Sequence, residues 1–161
     1  TFSKLCTSQN YNMYAFKIAL KTKDFDLISL ATENLSSGFL PTEKEFFYAR
    51  TALELLTKKE IILAKNIIKF IMDHGNELQN NNPIINYVFL LCFLLENVQA
   101  KGNATFEHFE ILIKKYSTVL ENDPSFKKYL NVISKEFFNR QIFKEEEQGK
   151  NGLENLMKMF G

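Results

Sequence analysis

The stretch Pro83-Ile84-Ile85-Asn86-Tyr87-Val88-Phe89-Leu90-Leu91-Cys92-Phe93-Leu94-Leu95 decides the fold class. From Ile84 to Leu95 only Asn86 interrupts an apolar run. A helix of that length covers roughly 18 Å, against a bilayer core of about 30 Å, so the run is too short to span a membrane. Pro83 suits a first helical position, where its missing N–H would have had no partner. The run reads as a helix buried on all sides, and such a helix needs other helices around it.

The flanking sequence supplies them. Downstream, Lys101-Gly102-Asn103 breaks the helix. Phe106, Phe109, Leu112, Ile113, Tyr116 and Leu120 then fall on one stripe of a sixth helix. Asp123-Pro124 is a capping residue followed by proline, and it opens a seventh helix carrying Phe126, Tyr129, Leu130, Ile133 and Phe137. Upstream, residues 76–82 form a polar, Asn-rich connector. Before it, Gly75 stops a fourth helix that starts at Lys59 and carries Ile61, Ala64, Ile67, Ile68 and Ile71. Thr42 and Glu45 have the spacing of a capping box for a third helix, which runs to Thr57 with Phe46, Ala49, Leu53 and Leu56 inward. Asp24 caps a second helix with Leu27, Ile28, Ala31 and Leu35, ended by Gly38. In the first helix, Tyr11, Tyr14, Ala15, Ile18 and Ala19 make the apolar face.

Short connections between helices of similar length imply antiparallel neighbours. The expected fold is all-α: a right-handed α-solenoid of stacked antiparallel helical hairpins, tetratricopeptide-like, with about seven helices plus a short C-terminal one. The chain has no Trp, so the tetratricopeptide consensus itself is absent. The solenoid is expected over residues 1–140. Residues 141–161 read as a polar linker and a short amphipathic segment with Leu153, Leu156, Met157 and Phe160 on one face. About nine residues cannot hold a helix alone in water, so this face must be covered by something.

Composition excludes several classes of function. The 161 residues carry 20 basic and 19 acidic side chains, a net charge of +1, so no strong field steers nucleic acid or an anionic surface. Only Arg50 and Arg140 are arginine, the better bidentate phosphate reader. Lys114-Lys115 and Lys127-Lys128 are the best candidates for an RNA-binding stripe, and they read as solvated faces. Cys6 and Cys92 form no disulfide framework and suit a reducing compartment. The chain opens on Thr1 without a signal-peptide pattern, which reads as a processed product or part of a longer protein.

Chemistry is scarce. His74 and His108 stand far apart with no ligand at metal spacing, so no metal or other cofactor is expected. His74, near a helix end, suits the last carbonyls. No phosphate loop and no nucleophile elbow is present. Cys92, in the most apolar helix, reads as a protonated, inert thiol. A helical enzyme using Cys92 or His108 is the rival to a non-catalytic reading. Phe is plentiful at sixteen; a solenoid core uses some of it, binding surfaces concentrate aromatics too, and composition alone does not apportion them.

Glu45-Phe46-Phe47-Tyr48-Ala49-Arg50, followed by Leu53, Leu56 and Ala64, resembles the helical-pair signature of a known scaffold family. Pro83-Ile84-Ile85-Asn86-Tyr87 is similar to that family's helix start. Phe109, Leu112, Tyr116, Leu120, Asp123-Pro124, Tyr129-Leu130, Ile133 and Phe137-Phe138 follow in its order. Gly152-Leu153 and Asn155-Leu156-Met157 resemble its C-terminal end. The family is subunit four of the GET pathway (guided entry of tail-anchored proteins, Golgi-to-ER traffic), and the chain resembles its C-terminal half. One departure is Asn139-Arg140, where the family tends to have Gly and then Pro.

The resemblance implies a cytoplasmic, non-catalytic scaffold. Its C-terminal helices would hold a ubiquitin-like partner subunit, and the targeting ATPase would dock only on the missing N-terminal half. A generic helical interaction module is the alternative. The partner site is expected on the C-terminal helices, from about Ile84 onward. Phe137 and Phe138 point about 100° apart on a helix, so one stripe cannot bury both. The candidate partner-binding residues are therefore Phe137, Phe138, Phe143, Leu153, Leu156, Met157 and Phe160. Far-ultraviolet circular dichroism should show a strongly helical spectrum; a dominant β signature would overturn the fold class.

Overall fold

A computed structural model describes residues 2–74 and 82–143, with side chains described from Asn10 onward. Among the described residues there are eight helices and no strand. They are α1 (Phe2–Thr22), α2 (Phe25–Ser36), α3 (Pro41–Thr57), α4 (Ile61–His74), α5 (Pro83–Gln99), α6 (Phe106–Lys115), α7 (Ser117–Leu120) and α8 (Pro124–Phe138). The seven expected helices are all present, with α7 as a separate turn where the sixth was expected to continue. The short C-terminal helix lies outside the described residues.

Capping explains most of the boundaries. The Asp24 carboxylate accepts the Leu27 N–H at 3.1 Å at the start of α2, and the Asp123 carboxylate accepts the Ser125 N–H at 2.9 Å at the start of α8. Pro83 and Pro124 stand in the first turns of their helices, as expected. Four helix ends carry a non-glycine residue in left-handed backbone: Lys23, Lys59, Lys101 and Asn139. Asn139 ends α8 in this left-handed conformation, and asparagine is the non-glycine side chain that best tolerates it.

The start of α3 differs from expectation. The helix begins at Pro41, and the Glu43 carboxylate accepts the Leu40 N–H at 3.0 Å. Thr42 and Glu45 form no capping box. Glu45 lies one turn in, is 4% exposed, and accepts a hydrogen bond from the Asn82 side-chain amide. Asn82 in turn caps α5 by accepting the Ile84 N–H at 2.8 Å. One polar bridge therefore pins the start of α5 to α3. Burial raises the Glu45 pKa, and the Asn82 bond only partly offsets this.

The centre of the molecule is α3, not α5. Tyr48, Ala49, Ala52, Leu53, Leu55 and Leu56 are all buried, so nearly every side of α3 is covered. Helices α4, α5 and α8 all pack against it. The turn after α1 is tied to the turn after α3 by Lys23 and Glu60 at 2.5 Å. Phe16 meets Phe47 at 5.2 Å between ring centroids, and Phe25 meets Phe70 at 6.4 Å, so the α1–α2 hairpin lies against the α3–α4 hairpin. Packed on α2 and touching Phe47, α1 buries a different face from the one expected. Phe16, Ala19 and Leu20 are buried, while Tyr11, Tyr14 and Ile18 stay exposed.

Helix α8 returns to α3 and runs parallel to it. Phe46 stacks on Phe126 at 5.9 Å, Tyr129 donates to Glu54 at 3.5 Å, and Lys59 faces Glu136 at 3.5 Å. Arg50 closes the pair, its Nε donating to Asp123 at 2.6 Å. Burial opposes ionisation of Asp123, but the Ser125 hydroxyl and N–H and the Arg50 guanidinium outweigh it and hold the carboxyl below the usual aspartate range.

Asp123→Ala should lower stability by about 2 kcal/mol through loss of the cap and the ion pair, and Asp123→Asn, itself a good cap, by about 1 kcal/mol. Urea unfolding measures both. A carboxyl with a depressed folded pKa contributes stability above its unfolded pKa and loses it as pH falls through the folded value. The gap between wild type and Asp123→Asn should therefore close on acidification below the ordinary aspartate range; a gap that widens would contradict the assignment.

Candidate protein-interaction surface

The groups that could do chemistry are occupied structurally. Cys92 is fully buried, and desolvation pushes its thiol up to about 12, against a smaller opposing pull from Lys65. His74 places Nδ1 3.0 Å from the Phe70 carbonyl and stacks on the Phe70 ring at 4.4 Å. The His108 Nδ1 accepts the Thr105 N–H at 3.0 Å, so His108 serves the start of α6. No group of three or more potential metal ligands occurs among the described residues. A cleft of about 460 Å³ lies beside the starts of α3 and α8, lined by Phe39, Phe46, Phe47, Arg50 and Asp123 among others. It holds two carboxylates: Asp123 is held ionised by Ser125 and Arg50, and Glu43 accepts the Leu40 N–H at the start of α3.

The aromatic edge of α8 divides between two neighbours. Phe138 packs on Phe106 at 5.5 Å and on Phe109 at 5.2 Å between centroids, so it faces α6. The Arg140 guanidinium lies 5.1 Å from the Phe106 ring and extends that cluster. Phe137 faces the other way, with the Lys59 ammonium 6.0 Å from its ring. Both rings are partly buried.

Beyond Asn139 the chain reverses. The Ser134 hydroxyl donates to the Arg140 carbonyl, and the Phe143 N–H donates to Asn131 at 2.9 Å. Phe143 is thereby laid back along α8, under Lys127 at 5.9 Å, and lines a hollow of about 100 Å³ with Ile113, Leu120 and Leu130. The structure thus places Phe138 and Phe143 on the α6–α7 side of α8, and Phe137 on the α3–α4 side. Leu153, Leu156, Met157 and Phe160 lie outside the described residues.

A family model described as Golgi to ER traffic protein 4 matches residues 3–160. The chain belongs to this family. Membership extends over the helices as far as Phe2–Thr22, where the resemblance of individual motifs is loose. It ties the chain to Golgi-to-ER traffic. No curated protein matches the chain. Among the described residues, no helix is long and apolar enough to cross a membrane. The residues that reasoning from sequence missed here are Phe106, Asn131 and Arg140. The first reads as plain core and the other two as solvated polar positions, and only the turn at Asn139 brings them to the edge.

Phe138→Ala should lower stability by about 2 kcal/mol, because it opens the cluster with Phe106 and Phe109. Phe137→Ala should cost less than about 1 kcal/mol. Equal losses in thermal or urea unfolding would show that the two rings hold the fold alike.

Proposed function

We propose that this chain is a non-catalytic cytosolic scaffold in tail-anchored membrane-protein targeting. In this reading its helices form a solenoid, and its C-terminal part holds a ubiquitin-like partner subunit, linking chaperone-bound clients to the targeting ATPase. The single observation that carries the reading is the family match over residues 3–160. The occupied state of Cys92, His74 and His108 agrees with it.

The partner would use Phe137 and Phe143, the exposed side of Phe138, and the apolar stripe Leu153, Leu156, Met157 and Phe160. A partner segment crossing the end of α8 would cover Phe137 on one side and Phe138 and Phe143 on the other, all three only partly buried within this chain. In this reading the chain corresponds to the C-terminal half of the family and the ATPase docks on the N-terminal half, so this chain alone should not bind it.

Two measurements test the proposal. Phe143→Asp with Leu156→Asp should abolish binding of the ubiquitin-like subunit in a pull-down while leaving the thermal midpoint within a few degrees of wild type. A midpoint that falls by many degrees would show these residues to be core and place the site elsewhere. Capture of the targeting ATPase by this chain alone, at micromolar concentration, would contradict the division of labour.

A further inference from the structure

The two arginines of the chain stand in opposite situations. Arg50 is committed: its Nε and one Nη both reach the Asp123 carboxylate. Arg140 is not. Among the described residues its guanidinium makes no hydrogen bond and has no carboxylate within ion-pair distance.

The Arg140 side chain is held in place all the same. Its N–H donates to the Ser134 carbonyl at 3.4 Å, and the Ser134 hydroxyl donates to the Arg140 carbonyl, so its backbone is fastened to the last turns of α8. Its guanidinium lies over the Phe106 ring, 5.1 Å from the ring centre, and the residue stays exposed. A guanidinium resting on an aromatic ring has already lost part of its side-chain freedom and keeps N–H donors to spare. Phe106 also carries Phe138, at 5.5 Å between centroids, so the guanidinium borders the aromatic edge of α8.

We propose that Arg140 is the polar anchor of the partner site at the end of α8, and that it receives an Asp or Glu side chain of the segment that covers Phe138. The inference rests on the reading of that edge as the seat of the ubiquitin-like subunit. Chemistry restricts the occupant. Arginine is permanently charged, offers five N–H donors and no acceptor, and matches a carboxylate with two parallel hydrogen bonds. A segment that buries Phe138 also takes Arg140 out of water, and a charge buried without its opposite is costly. The same segment must therefore bring the counter-charge, which also fixes its register on the edge.

The chain's own carboxylates are poorly placed for this role. Glu107 adjoins Phe106 in sequence but makes no ion pair with Arg140, and Glu136 faces Lys59. The run Glu145-Glu146-Glu147 follows Phe143, and by Phe143 the chain has already returned along α8 to Asn131, beside Lys127 rather than Arg140.

The test uses the whole chain and the ubiquitin-like subunit, with affinity read by isothermal titration calorimetry. Arg140→Leu keeps an apolar cover on Phe106. It should weaken binding at least about tenfold while the thermal midpoint stays within a few degrees of wild type. Arg140→Lys, which keeps the charge and loses the fork, should fall between the two. Arg140→Glu should weaken binding further, and changing one acidic residue of the subunit to Arg, found by reversing them singly, should restore it.

Arg140→Leu binding like wild type overturns the anchor, and so does the failure of every reversal to restore Arg140→Glu. The carboxylate is the chain's own, and the proposal falls, if Glu145→Gln, Glu146→Gln and Glu147→Gln together weaken binding as much as Arg140→Leu and the combination weakens it no further. If Arg140→Leu lowers the midpoint by many degrees, restoration by charge reversal decides alone. Binding that survives Arg140→Leu but is lost with Phe143→Asp and Leu156→Asp leaves the proposed function standing without this anchor. No binding by the wild-type chain defeats both.

Discussion

Helix α3 leaves almost no side for water, and the remaining helices are arranged to satisfy that constraint. Leu53, Leu55 and Leu56 are consecutive or nearly so, all with no exposed surface, and they point in different directions around the helix. No single neighbour can cover them. Helix α4 takes one side, α5 another and α8 a third. Removing any one would wet large apolar side chains, each costing about 1.5–3 kcal/mol when exposed. The hairpin of α1 and α2 is the outermost addition, joined through aromatic contacts and the Lys23–Glu60 pair.

Polar groups then fix where each cover sits. Glu45 and Asn82 set the start of α5 against α3. Arg50 and Asp123 do the same for α8. The two bridges differ in cost. Asp123 has two donor groups, the guanidinium and Ser125, and stays ionised easily. Glu45 has one amide partner and is burdened by burial. Such a carboxyl adds stability when protonated and loses it as pH rises through its folded value. Of the two bridges, Asp123 thus gains and Glu45 loses as neutrality is approached from the acid side.

Much of the fold was legible because local signals and tertiary packing agree. Asp24, Pro83 and Asp123-Pro124 mark helix starts by chemistry that depends on a few adjacent residues. The stripe Ile61, Ala64, Ile67, Ile68 and Ile71 on α4 faces inward without exception. The misreadings fall where two local answers compete. Glu45 has capping-box spacing from Thr42, yet the Glu43 carboxylate is already at the Leu40 N–H. Helix α1 is apolar on two sides, and its packing on α2 together with the Phe16–Phe47 contact covers the side with Phe16, Ala19 and Leu20. The run from Ile84 to Leu95 is more apolar than α3, yet it leaves Leu90 and Phe93 exposed, whereas the large side chains of α3 are covered on nearly every side. At the candidate surface, the pairing of Phe138 with α6 and the return of Phe143 depend on a left-handed Asn139 that no periodicity reveals.

The parallel pairing of α3 with α8 joins residues 73 and 75 positions apart. On a ribosome, α3 leaves the exit tunnel long before the helix that must cover it has been made. Until Phe138 has emerged, the strip of α3 that includes Phe46, Arg50 and Glu54 has no lid. Contacts of such high order also slow the search after release, since a long intervening loop must close first. The nascent chain is consequently most exposed to holdases and to aggregation when the seven preceding helices are available and the one that completes the core is not.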